Sequence, residues 1–246
     1  MTILFWDIDG TLLTTGKAGV PAWEAAVRET TGREFQLSSI RIPGLTDFQI
    51  AARTFELLGV SPANGLLERM VARYEDLLPS TLPLKQGRVL PHVREILEAL
   101  RGRADVRSYL LTGNTRRGAR AKLTHYDLFT YFPDGAFAED QGSRASIATR
   151  ALELARRNGR VNEEQLFVVG DTPHDIECAA AIDARTIAVA TGGYSVDELS
   201  AYGPWRVFEQ LPPAAHFLEL IGLGPAFAPD GASAGQAATE KASTRG

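Results

Sequence analysis

Short apolar runs that end in polar residues recur along the chain, and this pattern predicts β-strands. They cover residues 3–8, 106–111, 166–169 and 186–190, with a weaker fifth run at 206–208. Because each run is almost continuously apolar, we expect its residues to be buried on both faces of a sheet.

Stretches with helical periodicity separate these runs and lie at about 91–101, 115–125, 143–158 and 173–182. Pro91 suits the first turn of the earliest of them, where a backbone N–H has no helical partner. Strands that alternate with helices are typical of a parallel sheet covered on both sides. The sequence therefore predicts an α/β fold with a Rossmann-like parallel sheet.

Residues 16–87 interrupt this alternation, because they contain no convincing strand. Their periodicity predicts only helices, at roughly 20–31, 47–58 and 62–78. We therefore expect a core domain formed by residues 1–15 and 88–223. An all-helical second unit, residues 16–87, is inserted into it after the first strand.

The composition limits the class of protein. Of the 246 residues, 44% are hydrophobic and 23% are charged, as in an ordinary globular chain. The net charge of −4 gives no basic field for nucleic acid or an anionic membrane, and Cys178, the single cysteine, cannot form an intrachain disulfide. We expect a soluble cytoplasmic protein, a monomer or a homodimer, with no nucleic-acid or membrane partner. Residues 224–246 are rich in Ala, Gly, Ser, Pro and Thr, which predicts a disordered tail.

Four places in the chain put polar groups at or near the carboxyl end of a predicted strand. The residues concerned are Asp7 with Asp9, Thr112 to Asn114, Arg144, and Asp171 with Asp175. In an open parallel sheet, loops from several strands converge at this edge and bind ligands there. We therefore expect these side chains to meet in one site.

Several carboxylates at one site repel one another, by roughly 4 kcal/mol for a pair about 4 Å apart at an effective dielectric constant of about 20. They cannot all stay ionised without a cation, and oxygen ligands without His or Cys suit a hard ion. Mg²⁺ is therefore the predicted cofactor. With a hydroxyl and an arginine nearby, such a site fits a phosphoryl group that a carboxylate attacks.

Three segments together resemble the haloacid dehalogenase (HAD) superfamily, in its phosphatase branch. The sequence Asp7-Ile-Asp9-Gly10-Thr11-Leu12 is similar to motif I, Leu110-Leu-Thr112-Gly-Asn114 to motif II, and Val168-Val-Gly170-Asp171-Thr-Pro-His-Asp175 to motif IV. Their order and spacing agree over about residues 3–190. The helical block 16–87 lies where phosphoglycolate phosphatase-like members carry a C1-type cap. Within it, Gly44-Leu-Thr46-Asp47 is similar to the Gly-x-Thr-Asp of those caps.

The resemblance implies a Mg²⁺-dependent phosphoric monoester hydrolase, a phosphatase that acts on small phosphorylated metabolites. Asp7 is then the nucleophile that forms an aspartyl-phosphate, and Asp9 is the general acid and base. Thr112, with Gly113 and Asn114, binds the phosphoryl group.

The same resemblance implies where the metal binds. Mg²⁺ is held by Asp7, Asp171 and the backbone carbonyl of Asp9, and Asp175 supports these ligands from a helical turn further on. Motif III requires a lysine or arginine that binds the phosphate, and Arg144 is the candidate because it begins a helix in the expected interval. Lys122 is the competitor, although it lies in the middle of a helix.

The same residues favour or disfavour other activities that this scaffold could have. A true dehalogenase lacks the second aspartate of motif I, so Asp9 argues against it. A phosphonatase needs a cap lysine, and Lys17 and Lys85 lie at the two hinges of the insertion, where neither is well placed. A phosphomutase of the β-phosphoglucomutase type keeps every residue named above and stays an alternative. A non-catalytic phosphate-binding module is disfavoured because Asp7 is retained.

Within the insertion, Arg41, Thr46, Asp47 and Arg53 are the only hints to specificity.

Overall fold

The computed structural model describes residues 1–140 and 142–224. In chain order the strands are β1 (Thr2–Trp6), β2 (Leu13–Thr14), β3 (Arg88–Val89), β4 (Val106–Leu111), β5 (Gly135–Ala136), β6 (Leu166–Gly170), β7 (Arg185–Val189) and β8 (Arg206–Phe208). Within the described residues, six of them form one parallel sheet in the order β5-β4-β1-β6-β7-β8. The predicted α/β class with a parallel sheet is confirmed.

Helices connect these strands and cover both faces of the sheet. They are α1 (Gly19–Thr31), α2 (Asp47–Leu58), α3 (Leu66–Thr81), α4 (Val93–Leu100), α5 (Arg116–His125), α6 (Arg144–Arg157), α7 (Pro173–Ala180), α8 (Val196–Ser200) and α9 (Ala214–Leu220). Among the described residues, none of these helices has the length and apolar character needed to cross a bilayer.

The central strand β1 divides the core between the two faces of the sheet. Successive side chains of a strand point to opposite faces. Leu4 and Trp6 belong to one buried cluster, which also contains residues of α1, α3, α4 and α9. Ile3 and Phe5 belong to a second buried cluster, with residues of α6 and α7. Burial on both faces explains why β1 is apolar throughout.

The three long helices α1, α2 and α3 lie between β2 and β3. These two short strands pair antiparallel, Leu13 with Val89 and Thr14 with Arg88, so the chain leaves the sheet region and returns to it at adjacent points. α1 and α2 both pack on α3. We call residues 16–87 the helical insertion. Its role as a separate cap domain stays a prediction.

The boundaries of several elements differ from the predicted ones. β1 ends at Trp6 rather than at residue 8, because the chain then turns and the N–H groups of Leu12 and Leu13 both donate to the carbonyl of Ile8. α3 begins at Leu66 rather than at residue 62, because Asn64 has a left-handed backbone (φ 57°). α4 begins only at Val93, so Pro91 lies in the preceding turn.

Five short elements, β2, β3, β5, α8 and α9, were not predicted. The strands have only two residues each and the helices five to seven, which is too short for a periodic signal. The predicted disordered tail, 224–246, lies outside the described residues except for Gly224.

Helix α9 is part of the core despite its length. Its Phe217 is fully buried and stacks on Trp6 of β1, with ring centroids 5.5 Å apart. We expect Phe217→Ala to lower the free energy of unfolding by about 3–5 kcal/mol, because it leaves a cavity against the central strand. Phe129→Ala, at a phenylalanine that is 40% exposed, is the matched control in urea unfolding. A loss no larger than that of the control would contradict this place for α9.

Candidate active site

The loops that follow β1 and β6 form the centre of the site. Asp7 comes directly after β1, and its backbone N–H donates to the carbonyl of Val169 in β6 at 3.0 Å. Asp171 comes directly after β6. Because the two strands are neighbours with the same direction, the two carboxylates emerge side by side at the carboxyl edge of the sheet.

Three buried carboxylates meet here. One oxygen each of Asp7, Asp171 and Asp175 lies within 4.8 Å of the others. Asp175 is at the start of α7, where its Oδ2 accepts hydrogen bonds from the N–H and hydroxyl of Thr172, at 3.0 and 2.8 Å. These hydrogen bonds hold the Asp175 carboxylate in one orientation next to the other two. We call Asp7, Asp171 and Asp175 the acidic cluster.

The loop after Asp7 closes against this cluster. Gly10 has a left-handed backbone (φ 83°), and a Cβ at this position would be 2.4 Å from Oδ2 of Asp171. The hydroxyl of Thr11 donates to Oδ1 of Asp171 at 3.2 Å. A residue with a side chain at position 10 would therefore displace Asp171.

Arg144 provides the positive charge next to the acidic cluster. It is buried at the start of α6, pairs with Asp175, and has Nη1 3.8 Å from Oδ1 of Asp7. Burial alone would lower the pKa of Arg144, but the charges of Asp175 and Asp7 outweigh it and raise the pKa. Its Nε is buried without a hydrogen-bond partner among the described residues.

One guanidinium does not compensate three carboxylates. Burial, followed by the charge of Asp175, raises the pKa of Asp7 to about 7. Burial and the charge of Asp7 likewise raise the pKa of Asp171. A cluster of oxygen ligands that resists ionisation in this way fits a hard divalent cation, which would favour the charged carboxylates.

Asp9 lies outside the acidic cluster. Its carboxylate is about half exposed and binds two groups, Nζ of Lys122 at 2.6 Å and Nδ2 of Asn114 at 2.8 Å. In a continuous strand, Asp7 and Asp9 would point to the same face of the sheet, because successive side chains alternate between the two faces. Since β1 ends at Trp6, the two carboxylates face different cations instead.

Lys122 is buried on α5 and also donates to Oδ1 of Asn114 at 2.5 Å. Burial would lower the pKa of Lys122, but the charges of Asp9, Tyr74 and Asp47 together outweigh it and raise the pKa. Both candidates for motif III are therefore in the site, Arg144 beside Asp7 and Lys122 beside Asp9. Which of them binds phosphate stays a prediction.

The loop after β4 completes the polar part of the site. The hydroxyl of Thr112 accepts from Nδ2 of Asn114 at 2.8 Å and lies close enough to Asp7 to offset part of the rise in the pKa of that carboxyl. Gly113 is in close contact with its surroundings, because a Cβ there would be 2.8 Å from Nη1 of Arg144 and 2.9 Å from the carbonyl of Leu45. Only glycine lets the helical insertion approach this loop so closely.

Asp47, the first residue of α2, holds the helical insertion on the same loop. Its backbone N–H donates to the carbonyl of Gly113, and its Oδ2 accepts from the N–H of Thr115, both at 2.8 Å. Burial raises the pKa of Asp47 to about 6. Of the other suggested specificity residues, Thr46 caps α2, while Arg41 and Arg53 do not line the cavity described next.

A cavity of about 480 Å³ lies between the helical insertion and the carboxyl edge of the sheet. The predicted site residues that line it are Asp7, Asp9, Thr112, Gly113, Asn114, Arg144 and Asp171. Lys17, at one hinge of the insertion, lines it as well, whereas Lys85 at the other hinge does not. Thr11 lies in the segment similar to motif I, but the sequence indicated no role for it, and the structure shows that its hydroxyl binds Asp171. Thr191, whose hydroxyl donates to the carbonyl of Gly10, was not identified from the sequence.

Comparisons with known proteins agree with this geometry. A family model described as haloacid dehalogenase-like hydrolase matches residues 4–180, more than half of the chain. The chain therefore belongs to this family of hydrolases, and the resemblance inferred from the motifs is confirmed.

The sequence identity to individual relatives is low. The chain is 27% identical over 227 residues to "Probable phosphatase IndB" of Dickeya dadantii (strain 3937), which covers 91% of this chain and 97% of that protein. The fold of the present chain is similar to that of a "predicted phosphoglycolate phosphatase" from Haemophilus somnus 129pt. The TM-score is 0.67, and the identity is 16% over 89% of this chain and 97% of the other. A "putative beta-phosphoglucomutase" from Thermotoga maritima has a TM-score of 0.59 and 23% identity over 89% and 98% of the two chains.

The raised pKa of Asp7 predicts how stability depends on pH. An acid whose pKa is higher in the folded state binds more protons there, so metal-free protein loses stability as the pH rises from about 4 through about 7. In EDTA, Asp7→Asn should show a smaller fall in Tm over this range than the unmodified protein. Equal pH profiles for the two proteins would contradict the buried, proton-binding Asp7.

At pH 8, Mg²⁺ at about 100 times its Kd should stabilise the unmodified protein by about 2.7 kcal/mol.

Proposed function

We propose that the protein is a Mg²⁺-dependent phosphatase that hydrolyses small phosphorylated metabolites through an aspartyl-phosphate on Asp7. The observation that carries this proposal is the acidic cluster with a guanidinium 3.8 Å from the Asp7 carboxylate and the hydroxyl of Thr112 in the lining of the same cavity. The phosphatase name of the Dickeya dadantii relative supports the same chemistry.

The metal ligands would be Asp7, Asp171 and the backbone carbonyl of Asp9, with Asp175 supporting them through its buried carboxylate. The fit rests on the uncompensated charge of the acidic cluster and on its oxygen-only donor set. When bound, Mg²⁺ would neutralise the carboxylates and the non-bridging oxygens of the phosphoryl group.

In the first half-reaction, Oδ of Asp7 attacks phosphorus in line, and the bond from phosphorus to the leaving oxygen breaks. The phosphoryl oxygens bind the hydroxyl of Thr112, the backbone N–H groups of Gly113 and Asn114, and the guanidinium of Arg144. Asp9, adjacent to the leaving oxygen, donates the proton that the departing alkoxide needs.

In the second half-reaction, Asp9 accepts a proton from water, whose oxygen attacks phosphorus and releases inorganic phosphate and free Asp7. The hydrogen bonds from Lys122 and Asn114 hold the Asp9 carboxylate in one orientation for both steps. Residues 16–87 would act as a cap that excludes bulk water while Asp7 is phosphorylated and opens to release product.

The direct test is phosphate release from a generic aryl phosphate, with Mg²⁺ and with EDTA. We expect release that depends on the metal, and its loss in Asp7→Asn with an unchanged fold. Uncatalysed hydrolysis of phosphate monoesters is so slow that a poor substrate still gives a clear signal. Release that persists in Asp7→Asn would place the nucleophile elsewhere. Cleavage of an aldehyde phosphonate but of no ester would indicate amine chemistry on Lys17.

A phosphomutase is the second candidate, and the fold similarity to the Thermotoga maritima protein favours it. Such an enzyme uses the same Asp7 but passes the phosphoryl group to another hydroxyl of a sugar phosphate faster than to water. Isomerisation of a sugar phosphate that outpaces phosphate release would support this candidate over the phosphatase.

The motif III assignment is tested by a pair of variants. Arg144→Ala removes a buried charge beside Asp7, so we expect kcat to fall about 10²–10³-fold, as for other groups that stabilise transition-state charge. Lys122→Ala should cost less, because its amine contacts Asp9 and not Asp7. Thermal melts establish that both variants fold. A larger loss for Lys122→Ala would reverse the assignment.

A further inference from the structure

The two sides of the cavity differ in chemistry. The side formed by strand ends is charged and polar, as described above. The side formed by the helical insertion is largely apolar, and its apolar side chains there include Val20, Trp23, Leu37, Ile42, Leu45 and Ile50.

The polar atoms of this apolar wall are bound within the protein. The indole N–H of Trp23 donates to the hydroxyl of Thr54 at 3.2 Å, and that hydroxyl donates to the carbonyl of Ile50 at 2.8 Å. The ring of Tyr74 packs edge-on against Trp23, with centroids 4.9 Å apart. Trp23 therefore offers a ligand only its carbon surface.

Few polar side chains of the helical insertion reach the cavity. They are Lys17, Asp47 and Tyr74. One carboxylate oxygen of Asp47 already accepts the N–H of Thr115, and Lys17 is an exposed residue. A leaving group with many hydroxyls would lose its hydrogen bonds to water here and regain few of them.

We propose that the substrate is a phosphate monoester whose alcohol carries a hydrocarbon or aromatic part, which packs on the apolar wall while the phosphate lies at the acidic cluster. This inference rests on the proposed phosphatase function and narrows its substrate class. A volume of about 480 Å³ is within the range of pockets that enclose small organic ligands, and it accommodates a ring beside the phosphoryl group.

The test compares two substrates, 2-phenylethyl phosphate and glycerol 1-phosphate, in the presence of Mg²⁺. Both release a primary alcohol, so the comparison isolates the apolar part from the leaving-group chemistry. We expect kcat/KM to be at least about tenfold higher for 2-phenylethyl phosphate, because burial of its ring removes apolar surface from water. An equal or lower value for this ester would overturn the proposed substrate class.

A pair of matched variants locates the effect. Val20→Asn puts a polar group on the apolar wall and should lower the ratio of the two kcat/KM values severalfold. Val60→Asn makes the same change at a half-buried valine of the helical insertion that does not line the cavity, and it should leave the ratio unchanged. A ratio that is insensitive to Val20→Asn would show that the ring binds elsewhere.

The failure of the proposed function has a different signature. If folded protein hydrolyses neither ester, the phosphatase proposal fails, and the substrate class is then tested by binding alone. Calorimetry with the two esters and Mg²⁺ should still give a Kd at least about tenfold lower for 2-phenylethyl phosphate. Equal affinities would overturn the apolar wall as a binding surface.

Discussion

The rest of the site depends on one unfavourable interaction, the mutual repulsion of three buried carboxylates at the carboxyl edge of the sheet. Asp7, Asp171 and Asp175 approach within 4.8 Å, and Arg144 is the only cation among residues 1–140 and 142–224 that pairs with them. This repulsion arises because β1 and β6 are adjacent parallel strands, so their ends place Asp7 and Asp171 side by side. The negative charge that the protein leaves unbalanced favours the binding of a cation at this edge of the sheet.

A second constraint is the close contact between the sheet and the helical insertion. The loop after β4, which we propose binds phosphate, also accepts Asp47, and Gly113 allows this contact because a side chain there would collide with Arg144 and Leu45. The same contact places an apolar wall opposite the charged edge. In the proposed function, the core binds the reacting phosphate and the insertion contacts the remainder of the substrate.

The long, periodic features of the fold could be predicted from the sequence. The central strands and the acidic residues that follow them in the chain give local signals in the sequence. Asp7, Asp171 and Asp175 converge in the structure, as the sequence predicted. Elements of two to seven residues, such as β5 and α9, could not be predicted, because tertiary contacts rather than a repeating pattern hold them.

Contacts between residues far apart in the chain could also not be predicted from the sequence. Lys122 lies in the middle of α5, and no pattern indicates that its amine reaches Asp9, which is 113 residues away. The end of β1 at Trp6 had a similar consequence. A strand two residues longer would have put Asp7 and Asp9 on one face, whereas the turn directs Asp9 toward Lys122.

The central claim is that Asp7 becomes covalently phosphorylated, and the most direct measurement is to trap that species. Protein mixed with substrate and Mg²⁺ is quenched in acid, reduced with borohydride and digested, and the peptide with Asp7 is analysed by mass spectrometry. An acyl-phosphate is reduced to the alcohol, so the account predicts homoserine at position 7 and unmodified aspartate at position 9. Turnover with aspartate intact at position 7, or homoserine at another aspartate, would contradict it.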